Sequence, residues 1–161
     1  MLETLLPGAQ RLQNVHPLLV HFPLALLPAS ALAYVLAWLA GRDAWAWTGL
    51  WLLVLGAVSA AAAATTTGLR ADEGVMVDPS VREQLLDPHR RLMLTTVGLS
   101  IALAAWAAAA RPLPARGRGV FLILLVVLLA LMSRGADYGG RMVYDYNAGG
   151  NACPQPIEFT R

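Results

Sequence analysis

The chain has 161 residues, of which 57% are hydrophobic and only 14% charged, with a mean hydropathy of +0.55. Soluble domains run at about 45–50% apolar and about 25% charged, so this composition argues against a water-soluble globule, and disorder would need few apolar residues and high net charge. The formal charge of +2 comes from twelve arginines and no lysine against ten carboxylates, too balanced for the clustered basic face of a nucleic-acid-binding protein. Cys153 is the single cysteine, which removes disulfide frameworks, a CxxCH site for covalent haem and iron–sulfur ligand sets.

A bilayer core of about 30 Å takes about 20 helical residues. Four apolar runs meet that length, at 17–39, 44–69, 88–110 and 119–138. The first carries Pro23 and Pro28, each of which removes a backbone donor, and it is expected to be kinked. Its apolar stretch exceeds the h-region of a signal peptide and follows only Arg11 as a cation, so it reads as a retained helix. The second repeats a small residue every fourth position, at Gly56, Ala60, Ala64 and Gly68, a spacing that lets another helix, or less often a flat ligand, approach closely. The third opens with Asp87 as an expected N-cap and Pro88 at the first helical position.

The links at 41–43 and 111–118 are short, so consecutive helices are expected to be antiparallel neighbours. The expected fold is therefore all-α, an integral membrane four-helix up-and-down bundle with a proline-kinked first helix. Its organisation is a short N-terminal segment at 1–16, a transmembrane domain at 17–138 and a polar tail at 139–161. Both termini and the polar stretch 70–87 then share one face.

The short-loop face holds Arg42, Arg111, Arg116 and Arg118 against Asp43, a net +3, and all five tryptophans lie toward it as an interfacial belt. Eight arginines and nine carboxylates are left for the long-loop face, a net −1, together with Tyr138, Tyr144 and Tyr146. Four arginines packed into two short links favour placing that face inside, since topology follows Arg and Lys in short loops.

His16, His21 and His89 all fall near the starts of the first and third spans, which run in the same direction and so gather the three imidazoles at one depth. Ionisable groups within a span are costly to bury and point to function. His16 and His21 are five residues apart, about 140° around a regular helix, so they do not share one partner helix. The first and third spans lie diagonally across such a bundle, and a ring between them takes one axial ligand from each, His21 and His89. A b-type haem suits that arrangement, with His16 as a further metal candidate. Its propionates would need interfacial cations, and Arg70, Arg90, Arg91, Arg134 and Arg141 lie on that face. Arg91 and Arg134 are favoured, with Asp137 spaced to hold Arg134. Copper or zinc is the other metal reading, since imidazole suits both and Met93, Met142 and Cys153 add soft sulfur. Structural readings compete throughout: a histidine at a helix start is often a cap, and interfacial arginines snorkel to lipid phosphates.

The segment His16-Pro17-Leu18-Leu19-Val20-His21-Phe22-Pro23, then Gly68-Leu69-Arg70-Ala71, His89 and Gly139-Gly140-Arg141-Met142-Val143-Tyr144, resembles a family of small bacterial membrane proteins catalogued as domain of unknown function 2231. The resemblance spans nearly the whole chain and implies a four-helix integral membrane domain in which His16, His21 and His89 match the family's histidines. Some relatives are fused to cytochrome-c-like segments, which implies redox work at the outer face of the inner membrane, with termini and histidines in the periplasm. The family pattern often has a further histidine where this chain carries Tyr146.

The expectation is a small cytochrome-like subunit that binds haem b and passes electrons to partner redox or membrane proteins. No nucleophile constellation, paired carboxylates or phosphate loop supports independent catalysis, and inverted repeats of a transporter are absent. The alternative from a different class is a cofactor-free structural subunit whose Trp- and Ala-rich helices pack against membrane partners.

Overall fold

The computed structural model describes residues 16–67, 80 and 82–146. A single helical turn α1 (His16–Leu19) is followed by α2 (His21–Ala40), α3 (Asp43–Thr67), a π-helical turn (Arg82–Leu86), α4 (Asp87–Ala110) and α5 (Arg118–Tyr146). Among the described residues, α2 packs on α3, α3 on α4, α4 on α5 and α5 back on α2, whereas α2 and α4 stand diagonally across the core. The chain is thus an up-and-down four-helix bundle, and all four long helices are apolar and long enough to cross a membrane.

The outer surface confirms the solvent. Trp51 and Ile123 are each 63% exposed and Val126 is 67% exposed, a coat that water would penalise and lipid tails would not. The protein is therefore a multi-pass membrane protein surrounded by lipid.

In lipid the helices gain nothing from hiding oil from oil, so close packing and hydrogen bonds must hold them together. Small residues on α3 permit that closeness. A methyl group on Gly56 would lie 2.7 Å from Cδ2 of Leu27, and one on Gly49 would lie 3.0 Å from the Tyr34 ring. The hydroxyl of buried Ser30 donates to the Gly49 carbonyl at 2.8 Å across the same interface. Gly56 and Ala60 of the small-residue stripe are buried, so it serves helix packing; Gly68 lies outside the described residues.

The short-loop end is locked by aromatic contacts. The Tyr34 and Phe121 rings meet edge to face at 4.9 Å, Trp106 meets Phe121 at 5.6 Å, and the Tyr34 hydroxyl donates to the Pro112 carbonyl at 3.3 Å. Gly41 ends α2 at φ +62°, a left-handed conformation that glycine adopts without strain and that reverses the chain into α3. Trp38, Trp45, Trp47 and Trp51 form an exposed belt at this end, and Trp106 turns inward.

Three boundaries differ from expectation. The first span is divided at Val20, where the ladder passes from His16–Val20 to Val20–Leu24 bonds and Pro23 has no N–H for the carbonyl of Leu19. Asp87 caps nothing, because the chain is already helical through the π turn that precedes it; Pro88 does occupy the first turn of α4. Finally, α5 continues past 138 to Tyr146, so residues 139–146 of the expected tail are helical. At about 1.5 Å per residue its 29 residues span about 43 Å, more than a bilayer core. The extension is supported by a small cluster in which Met142 and Tyr138 pack on Leu85 and Leu86.

Candidate metal-ligating histidine pair

His89 stands in the first turn of α4 and leans on α5. Its Nδ1 lies 2.7 Å from the carbonyl oxygen of Gly135, and its ring lies over Gly139, where a methyl group would come within 3.0 Å of Cε1. Gly135 and Gly139 are four residues apart, so one face of α5 is bare backbone where the imidazole is seated. At Gly135 itself an added methyl would run into the terminal methyl of Met93, and it would sit 3.3 Å from Cβ of Leu92. Gly135 and Gly139 form a small-xxx-small pair, a spacing that permits the close approach of α4 and α5.

His16 is placed by α1, which packs on α3, and its Nδ1 lies 3.2 Å from the carbonyl oxygen of Ala63. Burial lowers the His16 pKa, the bond to Ala63 raises it, and the neighbouring His89 lowers it further as a smaller contribution.

A carbonyl oxygen can only accept, so both Nδ1 atoms carry the hydrogen. In each neutral ring the lone pair is then on Nε2. Two imidazoles held in the same tautomer by backbone carbonyls are the arrangement that metal-ligating histidines show, with the second nitrogen oriented by a hydrogen bond.

His21 is placed differently. The buried row of α2 runs through Pro23, Leu27, Ser30, Tyr34 and Ala37, and His21, two residues before Pro23, is about 200° around the helix and exposed. His21 is thus turned to the outside of the bundle, whereas His16 is part-buried where α1 folds against α3. The middle of the bundle is filled by Leu27, Leu53, Leu103 and Leu128, each no more than 1% exposed.

The arginines also divide. Arg134 pairs with Asp137 at 3.3 Å, as its spacing suggested, donates to the Tyr138 hydroxyl at 3.4 Å and lies 4.8 Å from the centre of that ring. Arg141 pairs with Asp145 at 3.7 Å. Arg90 is half-buried and Arg91 exposed, and neither has an ion pair among the described residues. Arg70 and Cys153 lie outside the described residues. Met142 is taken up by the cluster with Leu85 and Leu86. Among the described residues no group of three or more His, Cys, Asp or Glu side chains gathers as a metal site.

The sequence pattern that defines the predicted membrane proteins catalogued as domain of unknown function 2231 matches residues 12–152. Neither a curated protein nor a solved structure matches the chain.

Proposed function

The chain belongs to the family of membrane proteins catalogued as domain of unknown function 2231, and we propose that it is a small electron-transfer subunit in which His16 and His89 would hold a b-type haem. The observation that carries this reading is the matched pair of Nδ1–H bonds to the Ala63 and Gly135 carbonyls, which leaves the Nε2 lone pair as the coordinating position on both rings. Held there, such a group would supply one-electron chemistry. The chain's own part is to hold the two tautomers, to keep His16 neutral by burial, and to leave space beside Gly139 for the His89 ring. Arg90 and Arg91, directly after His89, are the cations for the propionates, since Arg134 and Arg141 are already paired with carboxylates.

In this reading the subunit sits in the bacterial inner membrane with its histidine end and termini in the periplasm. The arginines crowded into the short links support that orientation.

The test is the absorption spectrum of detergent-purified protein expressed with haem precursor. A Soret band that disappears in His16→Ala and in His89→Ala but survives in His21→Ala is the expected result. A colourless protein, or a band lost only in His21→Ala, overturns the assignment. A second reading, a bare copper or zinc ion, draws on the Met93 side chain, which lies against Gly135 one turn beyond His89. Stoichiometric metal without a Soret band would favour it, and neither metal nor haem would leave the cofactor-free structural subunit.

A further inference from the structure

A groove of about 590 Å³ opens on the outside of the bundle at the short-loop end, far from the histidines, between the last turn of α2 and the first turns of α5. Its lining is divided by polarity. Leu122, Ile123 and the Trp38 indole give it an apolar side facing the bilayer, and Arg118 stands at its polar rim beside Gly119. Arg118 is exposed and makes no hydrogen bond or ion pair among the described residues, in contrast to Arg134 and Arg141, which are matched by carboxylates on their own helix. The other charges at this end are Arg42, Arg111 and Arg116 against Asp43, so the end carries a net positive charge.

We propose that this groove is a binding site for an anionic phospholipid of the adjoining leaflet, with the phosphate on the Arg118 guanidinium and an acyl chain along Leu122, Ile123 and Trp38. A cationic rim above an apolar wall at interfacial depth fits an amphiphile whose charge and chain are joined, and the unmatched positive end selects the negative headgroup. A small soluble anion would leave the apolar wall open, and a zwitterionic lipid would bring its own cation against Arg118.

The test uses the full chain in phosphatidylcholine vesicles doped, at equal mole fraction, with phosphatidylglycerol or phosphatidylcholine brominated on the acyl chain. Bromine quenches tryptophan on contact, so lipid seated in the groove reports through Trp38. The expected result is excess quenching by the anionic lipid, corresponding to a roughly fivefold preference for one cation at the membrane surface. The excess disappears in W38F and R118Q, is kept in R118K, and is kept in R116Q, whose residue is outside the groove. Far-UV circular dichroism establishes that each variant is folded. Equal quenching by the two lipids, an R118Q variant that behaves as wild type, or an R116Q variant that loses the excess as fully as R118Q overturns the proposal. So does an excess that vanishes on diluting the protein in the bilayer, which would assign the groove to a second copy of the chain.

Discussion

The Nδ1 of His89 lies 2.7 Å from the carbonyl oxygen of Gly135, a bond between α4 and α5 that exists because α5 has no side chain at that position or at Gly139. A helix carbonyl already serves the N–H four residues on, so His89 draws on the remaining lone pair of an oxygen that the bare glycine face leaves accessible.

Adding methyl groups to this face should therefore act through identifiable neighbours. Gly135→Ala meets the flexible end of Met93 and the fixed Cβ of Leu92, and overpacking of this kind costs about 1–3 kcal/mol. Removing the clash with Met93→Ala should recover a large part of that loss. Thermal unfolding in detergent of both single variants and the double variant measures it, and strict additivity of the two losses would refute the proposed contact. Gly139→Ala, which presses on the imidazole ring itself, should alter any haem spectrum as well as stability.

Much of this architecture was written in composition and spacing. Four apolar runs separated by two short links determine a four-helix up-and-down order, and the tryptophan belt at one end follows from interfacial chemistry. Less legible was which histidine turns inward. Phase counting at 100° per residue separates His16 from His21 but cannot say which of them reaches the core, because the break at Val20 and the docking of α1 on α3 are tertiary events. The acceptors of the two imidazoles, the Ala63 and Gly135 carbonyls, are backbone atoms and carry no side-chain signature. Nor does the sequence show that α5 runs on through Gly139, whose missing side chain lets the helix continue against the His89 ring.

Burial lowers the pKa of His16 from its ordinary value of about 6.5, so the unfolded chain takes up a proton before the folded one does. Stability linked to this group is full above pH 6.5 and is lost as pH falls through the unfolded value toward the lowered folded one. The melting temperature of the wild type should fall between about pH 7.5 and pH 5 more steeply than that of His16→Gln, which cannot titrate. The difference between the two profiles reports His16 together with its smaller electrostatic coupling to His89. Parallel profiles would show that His16 is not buried as described.

Arg134 is, with Arg91, one of the two arginines favoured for a propionate, and it forms the expected pair with Asp137. Its side chain is 61% exposed and that of Asp137 51% exposed, and exposed pairs contribute about 0–1 kcal/mol. Arg134→Gln should leave the melting temperature nearly unchanged and should not alter haem retention or midpoint potential, whereas Arg91→Gln should shift the potential. A larger shift in Arg134→Gln than in Arg91→Gln would return the propionate role to Arg134.

At the opposite end of the bundle, Tyr34 combines two interactions that substitution can separate. Tyr34→Phe keeps the edge-to-face contact with Phe121 and removes only the hydroxyl, which donates to the Pro112 carbonyl at 3.3 Å. The expected loss is that of a single long hydrogen bond, about 0.5–1.5 kcal/mol. Leu27→Ala, at a side chain that is 0% exposed and seated against Gly56, opens a cavity and should cost about 2–5 kcal/mol. The smaller loss at the larger residue distinguishes packing from hydrogen bonding as the principal cohesion between α2 and its neighbours. If chemical unfolding in mixed micelles ranked the two variants the other way, the bond to Pro112 would be holding the short-loop end together, and the close seat of Leu27 on Gly56 would be of minor weight.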